Sequence, residues 1–130
     1  MSTVRPYLKA FAIIPKLYDW QICSTGFAVL RCKEKILPKF LLHMLFSQSL
    51  VSQFNREMVG AQYPALNSSQ VKKLKILLPT VPEQNKIAEI LSTVGEKVQL
   101  LKEKKNKLER VKKGLMNDLL TGRKRVKVEA

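Results

Sequence analysis

The sequence predicts an α+β fold: a small globular part over residues 1–79, a long coiled-coil helix over 80–122 and a basic tail over 123–130. Three observations carry this. Before residue 80, short apolar runs bounded by Pro, Gly and Asn alternate with stripes at helical spacing. From Glu83 to Thr121 the apolar residues recur at intervals of four and three. The length, 130 residues, suffices for one domain plus an appended element.

In chain order, Leu8–Ile14 reads as a strand closed by Pro15, its continuous apolar end suited to burial. Lys16–Asp19 reads as a turn, and Trp20–Cys23 as a second short strand. Phe27–Arg31 is the third, after Ser24-Thr25-Gly26, where Gly26 marks a bulge or a close backbone approach. Pro38 starts a helix striped by Phe40, Leu41, Leu42, Leu45 and Phe46, which Ser47-Gln48-Ser49 breaks. A second helical piece, Leu50–Met58, carries Val51, Phe54 and Met58. Gly60–Asn67 is a loop by its Gly, Pro and Asn. Asn67 or Ser68 caps a short helix that runs through Lys73. Leu74–Leu78 is the last strand, ended by Pro79.

The long helix has its own start and stop signals. Thr80 and Glu83 are spaced as a capping box, and Pro82 sits in the first turn, where a missing N–H costs nothing. Gly122 is placed to adopt the left-handed conformation that ends a helix. One seam position is held by Ile87, Val94, Leu101, Leu108 and Leu115. The other holds Leu91, Val98, Lys105, Lys112 and Leu119, with the stripe drifting to Val111 where the lysines intervene. A helix of this length spans roughly 57 Å, more than the preceding residues can cover, so the seam predicts pairing with a second helix, against the alternative of a single helix folded on its own domain. Gly95 and Gly114 lie inside it and either weaken it or admit another backbone.

The net charge is +14. Residues 1–82 hold 11 basic and 3 acidic side chains, whereas 83–122 hold 9 and 6, with Glu103–Lys107 and Glu109–Lys113 spaced to pair on the helix. The uncompensated charge therefore sits on the globular part and on the tail from Arg123. A basic domain poor in carboxylates reads first as a nucleic-acid binder, against a ribosome-associated protein or a binder of acidic membranes.

Other classes fall away. No run of 18 apolar residues exists to span a membrane, and Met1–Arg5 lacks a signal-peptide pattern, so a cytoplasmic protein is expected, with Cys23 and Cys32 reduced and buried. Two cysteines and the lone His43, itself expected at the surface, do not make a metal site at this spacing. The five glycines are scattered and form no phosphate loop. Asp19, Glu34 and Glu57 are too far apart in sequence to suggest a Mg²⁺ nuclease, and Ser24 and Thr25 have no evident base. The motif that amino-methyltransferases use to hold a target base is missing. A non-catalytic chain without a cofactor is expected.

Four pieces occur in a telling order: Ser24-Thr25-Gly26-Phe27-Ala28-Val29-Leu30-Arg31, Gly60-Ala61-Gln62-Tyr63-Pro64-Ala65-Leu66-Asn67, Pro79-Thr80-Val81-Pro82-Glu83-Gln84-Asn85-Lys86-Ile87-Ala88 and Leu115-Met116-Asn117-Asp118-Leu119-Leu120-Thr121-Gly122. Together they resemble the specificity subunit of type I restriction–modification systems, across essentially the whole chain. The resemblance implies an α+β target-recognition domain that reads half of a split DNA site. It also implies a long helix that pairs antiparallel as a spacer, and association with methylation and restriction subunits. A full subunit has two domains and two helices. This chain has one helix and the C-terminal part of one domain, whose N-terminal part would precede Met1.

On this reading the partner is double-stranded DNA. Phosphate contacts are expected from Arg5, Lys9, Lys16, Lys33, Lys35, Lys72 and Lys73. Base-edge contacts are expected from Thr25, Gln62, Tyr63 and Asn67, whose side chains donate or accept. A homodimer is expected through Ile87, Leu91, Val94, Val98, Leu101, Leu108, Leu115 and Leu119. The alternative is an assembly module whose helix binds a partner while the domain reads no DNA. A small nuclease is disfavoured by the missing carboxylate cluster.

Overall fold

A computed structural model describes residues 1–60 and 62–127; Ala61 of the expected loop and residues 128–130 of the expected tail lie outside the described residues. Among the described residues, two short 3₁₀ turns, Pro6–Leu8 and Lys16–Tyr18, precede four α-helices: α1 (Pro38–Leu45), α2 (Gln48–Glu57), α3 (Ser68–Lys73) and α4 (Val81–Leu120). Two compact units are distinguished, Met1–Leu91 and Ser92–Ala130.

The first unit is built on α1 and α2. Pro38 opens α1, and Ser47 caps α2 by accepting the Leu50 N–H, so the expected break falls at the cap. Leu45, Leu50, Phe54 and Leu66 are buried together, with Met1, Phe11, Val71, Leu74 and Ile76 among the side chains packed on them. The Phe11 ring meets Phe46 and Phe54 edge-on, at centroid distances of 5.4 and 6.0 Å. Asn67 caps α3 with a full capping box: its side chain accepts the Gln70 N–H, and the Gln70 side chain accepts the Asn67 N–H.

The expected strands Leu8–Ile14, Trp20–Cys23, Phe27–Arg31 and Leu74–Leu78 do not form, and the α+β class is corrected to a helical one with almost no strand. Among the described residues, pairing is confined to single-residue antiparallel bridges, Ser2 with Phe27, Val4 with Ala65 and Val59 with Ala65. Residues 1–5 run in the middle. Thr3 N–H donates to Gly26 O and Ala28 N–H to Met1 O on one side; Arg5 N–H donates to Pro64 O and Leu66 N–H to Thr3 O on the other. A strand requires a neighbour for its whole row of N–H and C=O groups. The apolar runs at 12–14 and 20–23 have no such neighbour among the described residues, and Trp20 and Ile22 stand 98% and 99% exposed. The residues around Lys75 find a substitute: Lys75 N–H donates to Gln53 Oε1 and Lys75 O accepts from Gln53 Nε2, both at 2.8 Å.

Gly26 is not a close-approach site, since a Cβ there would meet only ordinary contacts at 3.8 Å. Gly60 is: its φ is +107° and a Cβ would lie 3.1 Å from Tyr63 O. Cys23 is exposed rather than buried, and Cys32 is half-buried, where burial pushes its thiol above its ordinary range.

The start of α4 is fixed from both sides. Glu83 accepts from the Thr80 N–H at 2.9 Å and the Thr80 hydroxyl at 2.6 Å. The two bonds hold the Glu83 carboxyl below its ordinary pKa of 4.5. One turn in, Gln84 is fully buried: Oε1 accepts the Leu37 N–H, and Nε2 donates to Lys35 O and Pro79 O, each at 2.9 Å. Ala88, four residues on and on the same face, is buried too.

In the second unit the helix continues to Leu120 and ends at Gly122, whose φ of +70° is the expected left-handed stop. The ion pairs differ from those expected on the helix. Glu103 accepts from Gln99 at 2.8 Å, and Glu109 pairs with Lys105 at 3.6 Å. Beyond the stop, Arg123 and Lys124 both reach back to Asp118, at 3.7 and 3.3 Å, so part of the tail charge is offset by the helix end.

Candidate nucleic-acid interface

Two sequence-distant segments meet at Arg5. Its backbone is left-handed, φ 47° and ψ 54°, as the residue leading into the first 3₁₀ turn. Its N–H donates to Pro64 O at 2.8 Å, its guanidinium donates to Gln62 O at 3.1 Å, and Cζ lies 5.0 Å from the centre of the Tyr63 ring. One residue thus grips three consecutive residues of the loop. Gly60 shapes the start of that loop, because at its φ of +107° a Cβ would be strained and crowd Tyr63 O. The side chains of Gln62 and Tyr63 are exposed, Tyr63 at 69%.

Of the eleven expected DNA contacts, the structure brings Arg5, Gln62 and Tyr63 into direct contact. Lys9 is exposed at the other end of the same 3₁₀ turn, also left-handed at φ 58°. Thr25 is exposed in the turn whose Gly26 carbonyl accepts from Thr3. Asn67 Oδ1 is occupied by the capping bond from Gln70 and a 2.6 Å bond from the Ser69 hydroxyl. Lys72 and Lys73 lie on the last turn of α3, both exposed, and Lys16 is exposed in the second 3₁₀ turn. The side chains of Lys33 and Lys35 are exposed, while the Lys35 carbonyl serves Gln84.

All eight expected pairing residues of α4 are exposed, from 38% at Ile87 to 66% at Leu101, so the seam is bare among the described residues. A Cβ added at Gly95 or Gly114 would meet nothing within 4 Å, which leaves room for another backbone at both points.

Among the described residues no group of three or more His, Cys, Asp or Glu side chains is placed to hold a metal ion. No helix among them is long and apolar enough to cross a membrane.

The residues that sequence reasoning missed are the glutamines that serve backbone groups: Gln53, Gln84 and Gln70, the last donating to Glu57 O as well as closing the capping box. For Gln84 a signal existed in the Pro-Glu-Gln motif; for Gln53 there was none.

A family described as "Type I restriction modification DNA specificity domain" matches residues 6–110. The MjaVIII specificity subunit of a type I restriction enzyme from Methanocaldococcus jannaschii is 33% identical over 94 residues, 72% of this chain and 22% of that protein. The putative MjaX specificity subunit of the same organism is 37% identical over 68 residues, covering 52% of this chain and 16% of that one. The HindI specificity subunit of Haemophilus influenzae is 26% identical over 117 residues, covering 88% and 26%. The chain thus spans about a quarter or less of the length of these relatives. No solved structure matches it significantly. The match runs from the 3₁₀ turn beside Arg5, through the Gln62–Tyr63 loop and the buried Gln84, and far along α4, and the chain belongs to the type I restriction–modification DNA specificity domain family.

Proposed function

We propose that this chain is a non-catalytic DNA-recognition component of a type I restriction–modification system. Residues 1–79 supply part of a target-recognition domain, 80–122 a spacer helix and 123–130 a basic tail. The observation that carries this is the family match across residues 6–110, which takes in both the loop gripped by Arg5 and most of the bare-seamed helix. Gln62, with a side-chain amide that donates and accepts, and Tyr63, with a ring for stacking, suit base contacts. Lys72, Lys73 and the other lysines at the surface suit phosphates. The apolar seam of α4 suits a second copy of the helix, antiparallel, and the methylation and restriction subunits complete the assembly.

Binding of duplex DNA by the purified chain across a salt series tests this reading. Affinity that falls steeply with salt, with a preference for some sequences, supports it. A second reading, an assembly module without its own sequence reading, is favoured by the bare seam of α4 alone. Helix-mediated association without salt-dependent DNA affinity would establish that one instead.

A further inference from the structure

Arg5 would ordinarily be assigned to a phosphate, as a basic residue on a basic domain. Part of its donor set is already used within the loop. Arginine grips a phosphate with two adjacent N–H groups in one plane. Arg5 Nε is shielded from solvent and has no hydrogen-bond partner among the described residues, and one Nη is committed to Gln62 O. Nε and the Nη bonded to Gln62 O are therefore not open together as a pair for a phosphate. The guanidinium lies over the Tyr63 ring, with Cζ 5.0 Å from its centre. The backbone beneath is held left-handed, a conformation unfavourable for a residue with a Cβ, and in it the N–H is bonded to Pro64 O.

We infer that Arg5 is a specificity-determining positioning residue: it fixes the Gln62–Tyr63 loop in the shape that presents both side chains, and it does not bind a phosphate. The inference rests on the functional reading above for its DNA consequence. Its structural half stands apart from DNA. Gly60 shapes the loop at one end, where its φ of +107° strains any residue with a Cβ. Arg5 holds its middle through a bond, a ring contact and a backbone contact. The adjoining Ala65 and Leu66 amides bond to Val59 O and Thr3 O and report whether the loop stays closed.

The test compares Arg5→Ala and Arg5→Lys with the wild-type chain in two measurements. The first is amide hydrogen exchange. Both variants should speed exchange at Ala65 and Leu66 by about tenfold, since lysine keeps the charge but not the planar fork, while amides in α2 stay as they were. Unchanged exchange at Ala65 and Leu66 in Arg5→Ala overturns the proposal whatever happens with DNA. The second measures affinity for a duplex enriched by the wild-type chain from a random pool and for the unselected pool, across salt. Both variants should lose about tenfold or more in preference for the enriched duplex, with the slope of log K on log salt unchanged. An Arg5→Lys variant that keeps the preference, or equal losses on both duplexes with a slope shallower by about 0.9, the value of one phosphate, overturns it in favour of a phosphate contact. A wild-type chain that enriches no sequence refutes the functional reading and with it the DNA half of the inference, while the exchange result still decides whether Arg5 holds the loop.

Discussion

The Oε1 of Gln84 accepts the N–H of Leu37 at 2.9 Å across 47 residues of sequence. With its two other bonds, to Lys35 O and Pro79 O, this ties the first turns of α4 to the segment entering α1. A buried amide so fully used is costly to replace. Gln84→Leu leaves one N–H and two carbonyls without their partner and should destabilise the fold by about 2–4 kcal/mol. Gln84→Glu should be at least as damaging, because a carboxylate would face two carbonyl oxygens. Urea unfolding followed by far-UV circular dichroism measures both.

The two kinds of glycine should respond oppositely. Gly60→Ala forces a Cβ to 3.1 Å from Tyr63 O at a φ of +107° and should cost about 1–3 kcal/mol. Gly95→Ala meets nothing and sits in a helix, so it should stabilise α4 by up to about 1 kcal/mol. If α4 pairs with another backbone close to Gly95, the same alanine should weaken association while raising helicity. Sedimentation alongside thermal melts separates the two effects.

The bare seam should drive self-association. Leu101 and Leu108 are 66% and 59% exposed in the chain, and replacing both with Asp should give a monomer or melt the second unit. A wild-type chain that sediments as a monomer at high micromolar concentration would refute pairing through α4.

Acid should loosen the start of α4. Glu83 is held ionised by the Thr80 hydroxyl and N–H, so its folded pKa lies below the ordinary 4.5. Its contribution is present above pH 4.5 and is lost as the pH falls through the lower folded value. Glu83→Gln should flatten the acid side of the stability profile in this window, as read by unfolding titrations at successive pH values.

The helices were legible because their signals are local. Pro38 and Gly122 mark a start and a stop, Asn67 marks a cap, and the four-and-three spacing after Glu83 marks α4. The absence of strands was not legible. An apolar run such as Leu8–Ile14 has the composition of a buried strand, yet whether it pairs depends on a neighbour that composition does not name. The arrangement of the candidate site was half legible. Arg5, Gln62 and Tyr63 stood out by residue type, but their meeting across 57 residues depends on the left-handed turn at Arg5 and the pairing of residues 1–5 with 64–66. The capping geometry that occupies Asn67 Oδ1 could be read from the Asn-x-x-Gln spacing as readily as a base contact could.

On the proposed function, the globular unit reads DNA through the Gln62–Tyr63 loop and holds it through lysines. Fluorescence anisotropy across a salt series, with an enriched and a random duplex, tests it most directly. If about six phosphates are neutralised, log K for the wild-type chain should fall with log salt at a slope near −5. Lys72→Glu with Lys73→Glu should weaken binding to both duplexes and flatten the slope, whereas Gln62→Ala with Tyr63→Ala should narrow the gap between the duplexes and leave the slope in place. Equal losses from both pairs, or losses only when the tail after Gly122 is removed, would mean that the Gln62–Tyr63 loop does not read DNA.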